Sequence, residues 1–398
     1  MADIVREEAV LLRDRLAEPR RHLQVVVGPR QVGKTTLVRW ALDACGFPTH
    51  YASADEPGSL SSGWLRQQWE VARSRISGKS RKGAVLAIDE IQKLPGWSEQ
   101  VKRLWDEDSA ARKGPKVVLL GSSPLLLQSG LTESLAGRFE AIRVPHWSLD
   151  EMKRAFGFNL DKFLVFGGYP GAAALVRDEA RWSTYVRDSL IDTTLNLDVL
   201  QLSRVDKPAL LRRMFEFACL HSGQQLSYQK MLGQLQDAGN TVTLAHYLRL
   251  LEAAGMVRGI EKFAGDAIRQ RSSSPKLQVL NTALTAALTG QQPTRLLASP
   301  DQRGRLVESA VGAHLANAAA TGRCRLFYWR ERNHEVDFVI ERSGALIAIE
   351  VKSGRRRDGL PGIGAFLKLY PKARPLLVGA DGIGVEEFLL KPVETWFG

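Results

Sequence analysis

Cysteine is scarce in this chain: three in 398 residues, at Cys45, Cys219 and Cys324. They lie far apart, so no C-x-x-C metal pair exists and at least one thiol stays unpaired, which suits a reducing compartment. Also missing is any run approaching the ~20 apolar residues that a membrane span requires. The opening MADIVREEAVLLRDRL mixes both charge signs with periodic leucines and lacks the basic-then-apolar order of a secretory leader. A cytoplasmic protein without a membrane partner is expected. Acidic residues are in deficit, 43 against 55 Lys and Arg, leaving a formal net charge of +12. A cationic surface of that size favours a polyanionic partner, nucleic acid before anionic membrane, with plain solubility charge as the alternative.

What is present is globular. The 44% apolar and 25% charged fractions are those of a folded protein, and the length predicts two or three domains. Leu11, Leu12 and Leu16 recur at helical spacing and predict a first amphipathic helix. From residue 24 to about 150, short apolar runs alternate with helix-length segments. LQVVV, GAVLAID and KVVLLGSS read as buried parallel strands covered by helices on both faces, an α/β organisation. From Leu149 the texture becomes helical, with Ser148 as a cap and GGYPGAA as a turn and lid boundary.

Residues 226–290 have another rhythm. Ser227 caps a helix carrying Met231, Leu232 and Leu235, and a Gly239-Asn240 turn follows. A second helix then carries Leu244, Tyr247, Leu248 and Leu251 on one stripe, with Gly255 as its stop. With MVRGIEKF and KLQVLN as strands, this outlines a winged helix-turn-helix. From about 303 the chain returns to α/β, as a helix and the strands CRLFYWRE, EVDFVIE and ALIAIEVKSG. Trp40, Trp105 and Trp182 sit in periodic segments and are expected in the core.

The clearest chemical signal is GPRQVGKTT, residues 28 to 36, behind an apolar strand and ahead of a helix. It fits G-x-x-x-x-G-K-[ST], in which glycines let consecutive N–H groups converge on phosphate oxygens beside a helix N-terminus. Gly28, Pro29, Arg30, Gln31, Val32, Gly33, Lys34, Thr35 and Thr36 are the expected nucleotide contacts. Lys34 is assigned to the β- and γ-phosphates and Thr35 to Mg²⁺. AVLAIDEIQ ends a buried strand in Asp89, a second Mg²⁺ ligand, with Glu90 placed to polarise the attacking water. ATP and Mg²⁺ are the expected cofactors.

Together GPRQVGKTT, DEIQ, GSS, SLAGR, GGYPG, YVRDSL, GRLVESAV and EVDFVIE…IEVKSG resemble the prokaryotic AAA-type ATPases that carry a C-terminal domain of unknown function (DUF4143 type). The resemblance runs over nearly the whole chain. It implies an α/β P-loop NTPase domain of AAA/RecA-like type over 1–148, a helical lid over 149–225 and a winged-helix segment over 226–290. A restriction-endonuclease-like α/β domain over 303–398 completes it. In the AAA-type arrangement a polar residue ends the strand after the DE pair and touches the γ-phosphate or the lytic water. Ser122 and Ser123 stand there, where Asn is common, and Ser123 is the assigned residue. Arg138 is the candidate finger reaching a neighbouring copy, which implies a homo-oligomer; an intrachain ion pair is its alternative.

HEVDFVIERSGALIAIEVKSG carries a D…E-x-K pattern of the PD-(D/E)XK nuclease kind. Strand alternation puts Glu350 and Lys352 on one face with Val351 toward the core. Asp337 and Glu350 on a hairpin are then placed to share a divalent metal, Lys352 to orient a water, and Glu308 to add a carboxylate. The same fold also serves as a binding or scaffolding module. For DNA, the candidate contacts are Thr243, His246 and Arg249 on the second helix of the winged segment, and Arg269, Arg271 and Lys276 in its wing. KSGRRRDG adds a basic cluster beside the carboxylates. The expected function is ATP binding and hydrolysis that moves a DNA-engaging C-terminal module. The alternatives are an ATP-regulated Mg²⁺-dependent nuclease and a partner-binding NTPase switch that ignores DNA.

Overall fold

A computed structural model describes residues 4–55, 63–76, 83–121, 134–200, 205–235, 239–264, 274–352, 354, 360–379 and 381–398. The chain divides into two units, Asp3–Val144 and Pro145–Gly398.

The first unit opens with α1 (Glu7–Ala17) and β1 (Leu23–Val27), followed by α2 (Lys34–Ala44) and β2 (Thr49–Ser53). Then come α3 (Trp64–Ser74), β3 (Val85–Asp89), α4 (Trp97–Ala110), β4 (Lys116–Leu120) and β5 (Phe139–Arg143). The strands make one parallel sheet in the order β2-β3-β4-β1-β5. Its two faces are both dry, because successive side chains alternate sides. Leu23, Val25, Leu86, Ile88, Val117 and Leu119 face one core with Trp69 and Trp105. Val26, Val85, Ala87, Val118 and Leu120 face the other, against Leu12, Leu16, Leu37 and Val38 of α1 and α2. Leu11 is 42% exposed, so the buried stripe of α1 is Ala9, Leu12 and Leu16. Strand β2, THYAS, has one buried residue in five, which is why no apolar run announces it.

The second unit begins with α5 (Leu149–Phe156), α6 (Leu160–Phe166) and α7 (Glu179–Thr184), the last continued by π-helical turns over Tyr185–Asp192 and Thr194–Leu200. Ser148 closes a full capping box with Glu151. The GGYPG turn packs within this unit. Asn281 Oδ1 accepts from Gly168 N at 3.1 Å and Asn281 Nδ2 lies 3.3 Å from His146 Nδ1. His146 Nε2 is 2.8 Å from the Gly255 carbonyl, so that nitrogen carries the proton. The turn is thus tied, through Gly168, to a residue 113 positions away.

Next come α8 (Pro208–Leu220), α9 (Tyr228–Gln234), α10 (Thr241–Ala253), β6 (Val257–Lys262), β7 (Lys276–Val279) and α11 (Thr282–Leu288). Ser227 and Asn240 cap α9 and α10 through their side chains. The last part is α12 (Pro300–Ala320), β8 (Arg325–Glu331), β9 (His334–Arg342), β10 (Ala345–Lys352), α13 (Pro361–Leu369), β11 (Arg374–Gly379) and α14 (Val385–Leu390). A single six-stranded sheet runs β11-β10-β9-β8-β6-β7. Strands β6 and β7 therefore continue the C-terminal sheet, joined where Glu261 and Lys262 pair in parallel with Phe327 and Tyr328. Phe263 packs with Phe327, Trp329 and Phe366 beneath α13.

Candidate functional site

Residues 28–33 turn from the end of β1 into α2. Gln31 and Gly33 have φ of 60° and 85°, the left-handed conformation that glycine adopts without steric cost. A Cβ on Gly28 would lie 2.2 Å from the Val144 carbonyl oxygen, so only glycine lets the loop pass there. Val32 is fully buried in the core beneath α2 and anchors the loop from below. The loop therefore delivers the first N–H groups of α2 to one point, where a helix N-terminus concentrates unsatisfied donors and positive dipole. Lys34, the first residue of α2, is 9% exposed. Its Nζ donates to the carbonyls of Gly28 and Pro29 at 2.8 and 2.6 Å.

Asp89 ends β3, is 8% exposed, and receives three hydrogen bonds. Thr35 Oγ1 donates to Oδ2 at 2.9 Å, Tyr51 OH donates to Oδ2 at 2.5 Å, and Glu90 N donates to Oδ1 at 2.9 Å. Because Thr35 gives its proton to Asp89, the hydroxyl's lone pairs remain for a cation. These hard oxygen donors, a hydroxyl and a carboxylate, suit Mg²⁺. Tyr51 reaches Asp89 because β2 pairs with β3, and the Arg39 guanidinium lies over its ring at 4.9 Å. Burial, then the bond to Asp89 and its charge, push the Tyr51 phenol well above its ordinary range, so it stays a donor. Glu90 has φ of 52°, and Gln92 Nε2 donates to its Oε2.

Strand β4 lies between β1 and β3, so its C-terminal end points between the loop and Asp89. Ser122 and Ser123 follow that end and lie outside the described residues. Arg138 immediately precedes β5, where its Nε and Nη2 grip Asp106 at 2.9 and 3.1 Å. Its side chain is one-third exposed.

On α10, Leu244, Tyr247, Leu248 and Leu251 are buried, and so is Leu250. Arg249 and Val242 are exposed, while His246 and Thr243 are partly covered. Thr243 spends its N–H and hydroxyl on Asn240 Oδ1 at 2.8 and 3.1 Å. Arg269 and Arg271 lie outside the described residues, as does most of KSGRRRDG. Lys276 departs from its expected place in a basic wing. It is the first residue of β7 and fully buried.

The C-terminal carboxylates converge on that lysine. Lys276 Nζ lies 2.8 Å from Glu308 Oε1 on α12, 3.1 Å from the Asp337 carbonyl and 3.8 Å from Asp337 Oδ1 on β9. Asp337 Oδ2 accepts from Val351 N at 2.8 Å, across the β9–β10 hairpin. Glu350 Oε1 pairs with Lys352 Nζ at 2.7 Å. Glu350 Oε2 is buried with no hydrogen-bond partner among the described residues. Burial, joined by the nearby Asp337 charge, raises the Glu350 carboxyl above its usual range. Glu308 is raised chiefly by burial, against the pull of Lys276. For Lys276, burial lowers and its carboxylate neighbours raise, with the net upward, so the ammonium stays charged.

Three known domain families match successive stretches of the chain. Residues 20–153 match the AAA domain, 157–295 match a domain of unknown function (DUF8612), and 303–382 match a domain of unknown function (DUF4143). The chain thus matches an AAA-type ATPase with a C-terminal DUF4143 domain. Among curated relatives, the chain is 28% identical to an uncharacterized protein of Mycobacterium tuberculosis, over 85% of this chain and 73% of that one. It is 22% identical to an uncharacterized protein of Methanocaldococcus jannaschii, over 80% and 72%. Among solved structures it is similar to a Walker-type ATPase of Pyrococcus abyssi at 16% identity, with a TM-score of 0.44 over 72% of this chain and 96% of that one.

Three residues of the charged sites escape sequence reasoning. Tyr51 sits on a strand with no apolar signature, and only pairing with β3 brings it to Asp89. Gln92 was visible in DEIQ, but its bond to Glu90 depends on the left-handed backbone at Glu90. Lys276 reads as a loop cation because nothing nearby in sequence is acidic; its partners lie 32 and 61 residues away.

Proposed function

We propose that this protein binds and hydrolyses ATP with Mg²⁺ and uses the cycle to act on DNA through its second unit. The observation that carries the nucleotide part is the 2.9 Å bond from Thr35 to Asp89, which brings the loop threonine and the strand-end carboxylate to one point. Backbone N–H groups of 28–36 bind the phosphate chain. Lys34 exchanges the Gly28 and Pro29 carbonyls for β- and γ-phosphate oxygens. Thr35 and Asp89 would hold Mg²⁺, which would supply charge neutralisation on the phosphate oxygens. Glu90 accepts the proton of the attacking water as general base, its carboxylate aimed by Gln92. Ser123 is assigned to the γ-phosphate or the water at the end of β4.

An arginine finger from Arg138 requires self-association and the exchange of Asp106 for phosphate. Arg138→Ala should lower hydrolysis in the assembled protein and leave ATP affinity intact.

The DNA part rests on the net charge of +12 and on the helix pair α9–α10 followed by the β6–β7 ribbon, which we read as a winged helix-turn-helix. Arg249 and His246, with Thr243 and with Arg269 and Arg271, are the assigned contacts. The test is the ATPase rate with no DNA and with single-stranded, duplex or branched DNA, using Lys34→Ala as the control. Stimulation by one DNA form, with binding that weakens steeply with salt as counterions are released, supports the reading. Hydrolysis with no DNA binding at low salt leaves a partner-binding switch instead.

A further inference from the structure

The D…E-x-K pattern of β9 and β10 implies a divalent metal held by Asp337 and Glu350, with Glu308 as a third carboxylate. The residues present do not fit one. Lys276 enters the cluster from β7, and its ammonium contacts both Glu308 and Asp337. It also lies 4.4 Å from the Phe338 ring. A divalent ion bridging Glu308 and Asp337 would be pressed against this fixed positive charge in a site with little water to screen it. Of the other oxygens, Asp337 Oδ2 is committed to Val351 N and Glu350 Oε1 to Lys352, which leaves Glu350 Oε2 as the one buried carboxylate oxygen of the cluster without a hydrogen-bond partner among the described residues, too few for a divalent ion. No group of three or more His, Cys, Asp or Glu among the described residues is arranged to hold a metal ion.

The backbone of Lys276 is itself pinned. Gln225 bridges to it, Gln225 Nε2 donates to Tyr328 OH at 2.7 Å, and Tyr328 OH donates to the Ser274 carbonyl at 2.6 Å. These contacts fix the chain on the way into β7.

We propose that Lys276 is the resident cation of the C-terminal carboxylate cluster, and that the cluster anchors β7 to the C-terminal sheet instead of cleaving phosphodiesters with a divalent metal. Three carboxylates, Glu308, Asp337 and Glu350, face two ammonium groups, Lys276 and Lys352, so most of the charge a metal would balance is already balanced. The same contacts tie Lys276, the first residue of β7, to the helix and hairpin that carry the D…E-x-K letters.

Mn²⁺ titration calorimetry on the full chain tests this, with Asp337→Asn, Glu308→Gln and Lys276→Met beside the wild type. Wild type and Asp337→Asn should take up the same number of Mn²⁺ ions, those of the nucleotide site. Lys276→Met should gain one further ion per chain, lost again when Asp337→Asn is added, and that ion should raise its melting temperature. Wild-type uptake that disappears in Asp337→Asn or Glu308→Gln overturns the proposal. So does Mn²⁺-dependent DNA cutting abolished by Glu350→Gln, or a folded Lys276→Met that gains no ion. If Lys276→Met does not fold, the wild-type and Asp337→Asn titrations decide alone.

Discussion

Replacing Tyr51 by Phe removes one hydroxyl from Asp89 and leaves the Thr35 bond to the same oxygen in place. The ring stays, so packing beneath Arg39 is retained. A hydrogen bond to a charged acceptor contributes about 1.5–3 kcal/mol. Tyr51 is only partly buried, so the lower end applies, about 1.5 kcal/mol, or about tenfold in an equilibrium constant. The loss falls on the orientation of Asp89, and Asp89 matters to the nucleotide only through the metal. ATP affinity, followed with a fluorescent analogue, should therefore drop about tenfold in Mg²⁺ and by less than about twofold in EDTA. Equal loss in both buffers would mean that Tyr51 supports the fold of the loop and not the carboxylate. An unchanged affinity in Mg²⁺ would refute the reasoning outright.

Three further outcomes are expected. Glu90→Gln should keep ATP binding and lower hydrolysis by about 100-fold or more, read in a phosphate-release assay; a rate near wild type would remove Glu90 from the base role. Gly28→Ala should destabilise the first unit by about 1–3 kcal/mol, because its Cβ would meet the Val144 carbonyl at 2.2 Å; thermal melting checks this, and an unchanged transition would contradict the close approach. His314 has its pKa lowered from 6.5 to about 4, mainly by burial and also by Arg323, against a bond with the Lys391 backbone. Its neutral form stabilises the fold above pH 6.5, and that contribution is lost as pH falls toward 4, by about 1–2 kcal/mol at pH 5. His314→Gln should flatten that part of the melting profile; a profile as steep as wild type would reject the assignment.

The first unit was legible where chemistry and periodicity agree. Val25 and Val26 are apolar on both faces and force a buried parallel strand. Gly28, Gly33 and Lys34 occupy positions where backbone geometry tolerates little else. Strand β2 was not legible, since its polar residues owe their conformation to pairing with β3. In the second unit, Ser148, Ser227 and Asn240 announce helices through local capping bonds. The bond from Val351 N to Asp337 across β9 and β10 follows from a tight hairpin. Lys276 was misplaced because its environment is made by α12 and β9, which the sequence around it does not mention. Local rules see caps, turns and strand faces; they do not see which distant chain end supplies a counter-charge.

The shared sheet has a consequence for how this chain can be cut or recombined. Strands β6 and β7 fall in the stretch matching DUF8612, and β8 to β11 fall in or near the stretch matching DUF4143. Yet one ladder runs through all six. A fragment starting at residue 303 would bare the edge of β8, strip α12 of the strand it covers, and leave Glu308 and Asp337 without their lysine. A gene fusion with its junction between the two would inherit the same wound. The two stretches are neighbours in sequence bookkeeping but a single heritable object in space, and exchange between relatives should preserve them as a pair.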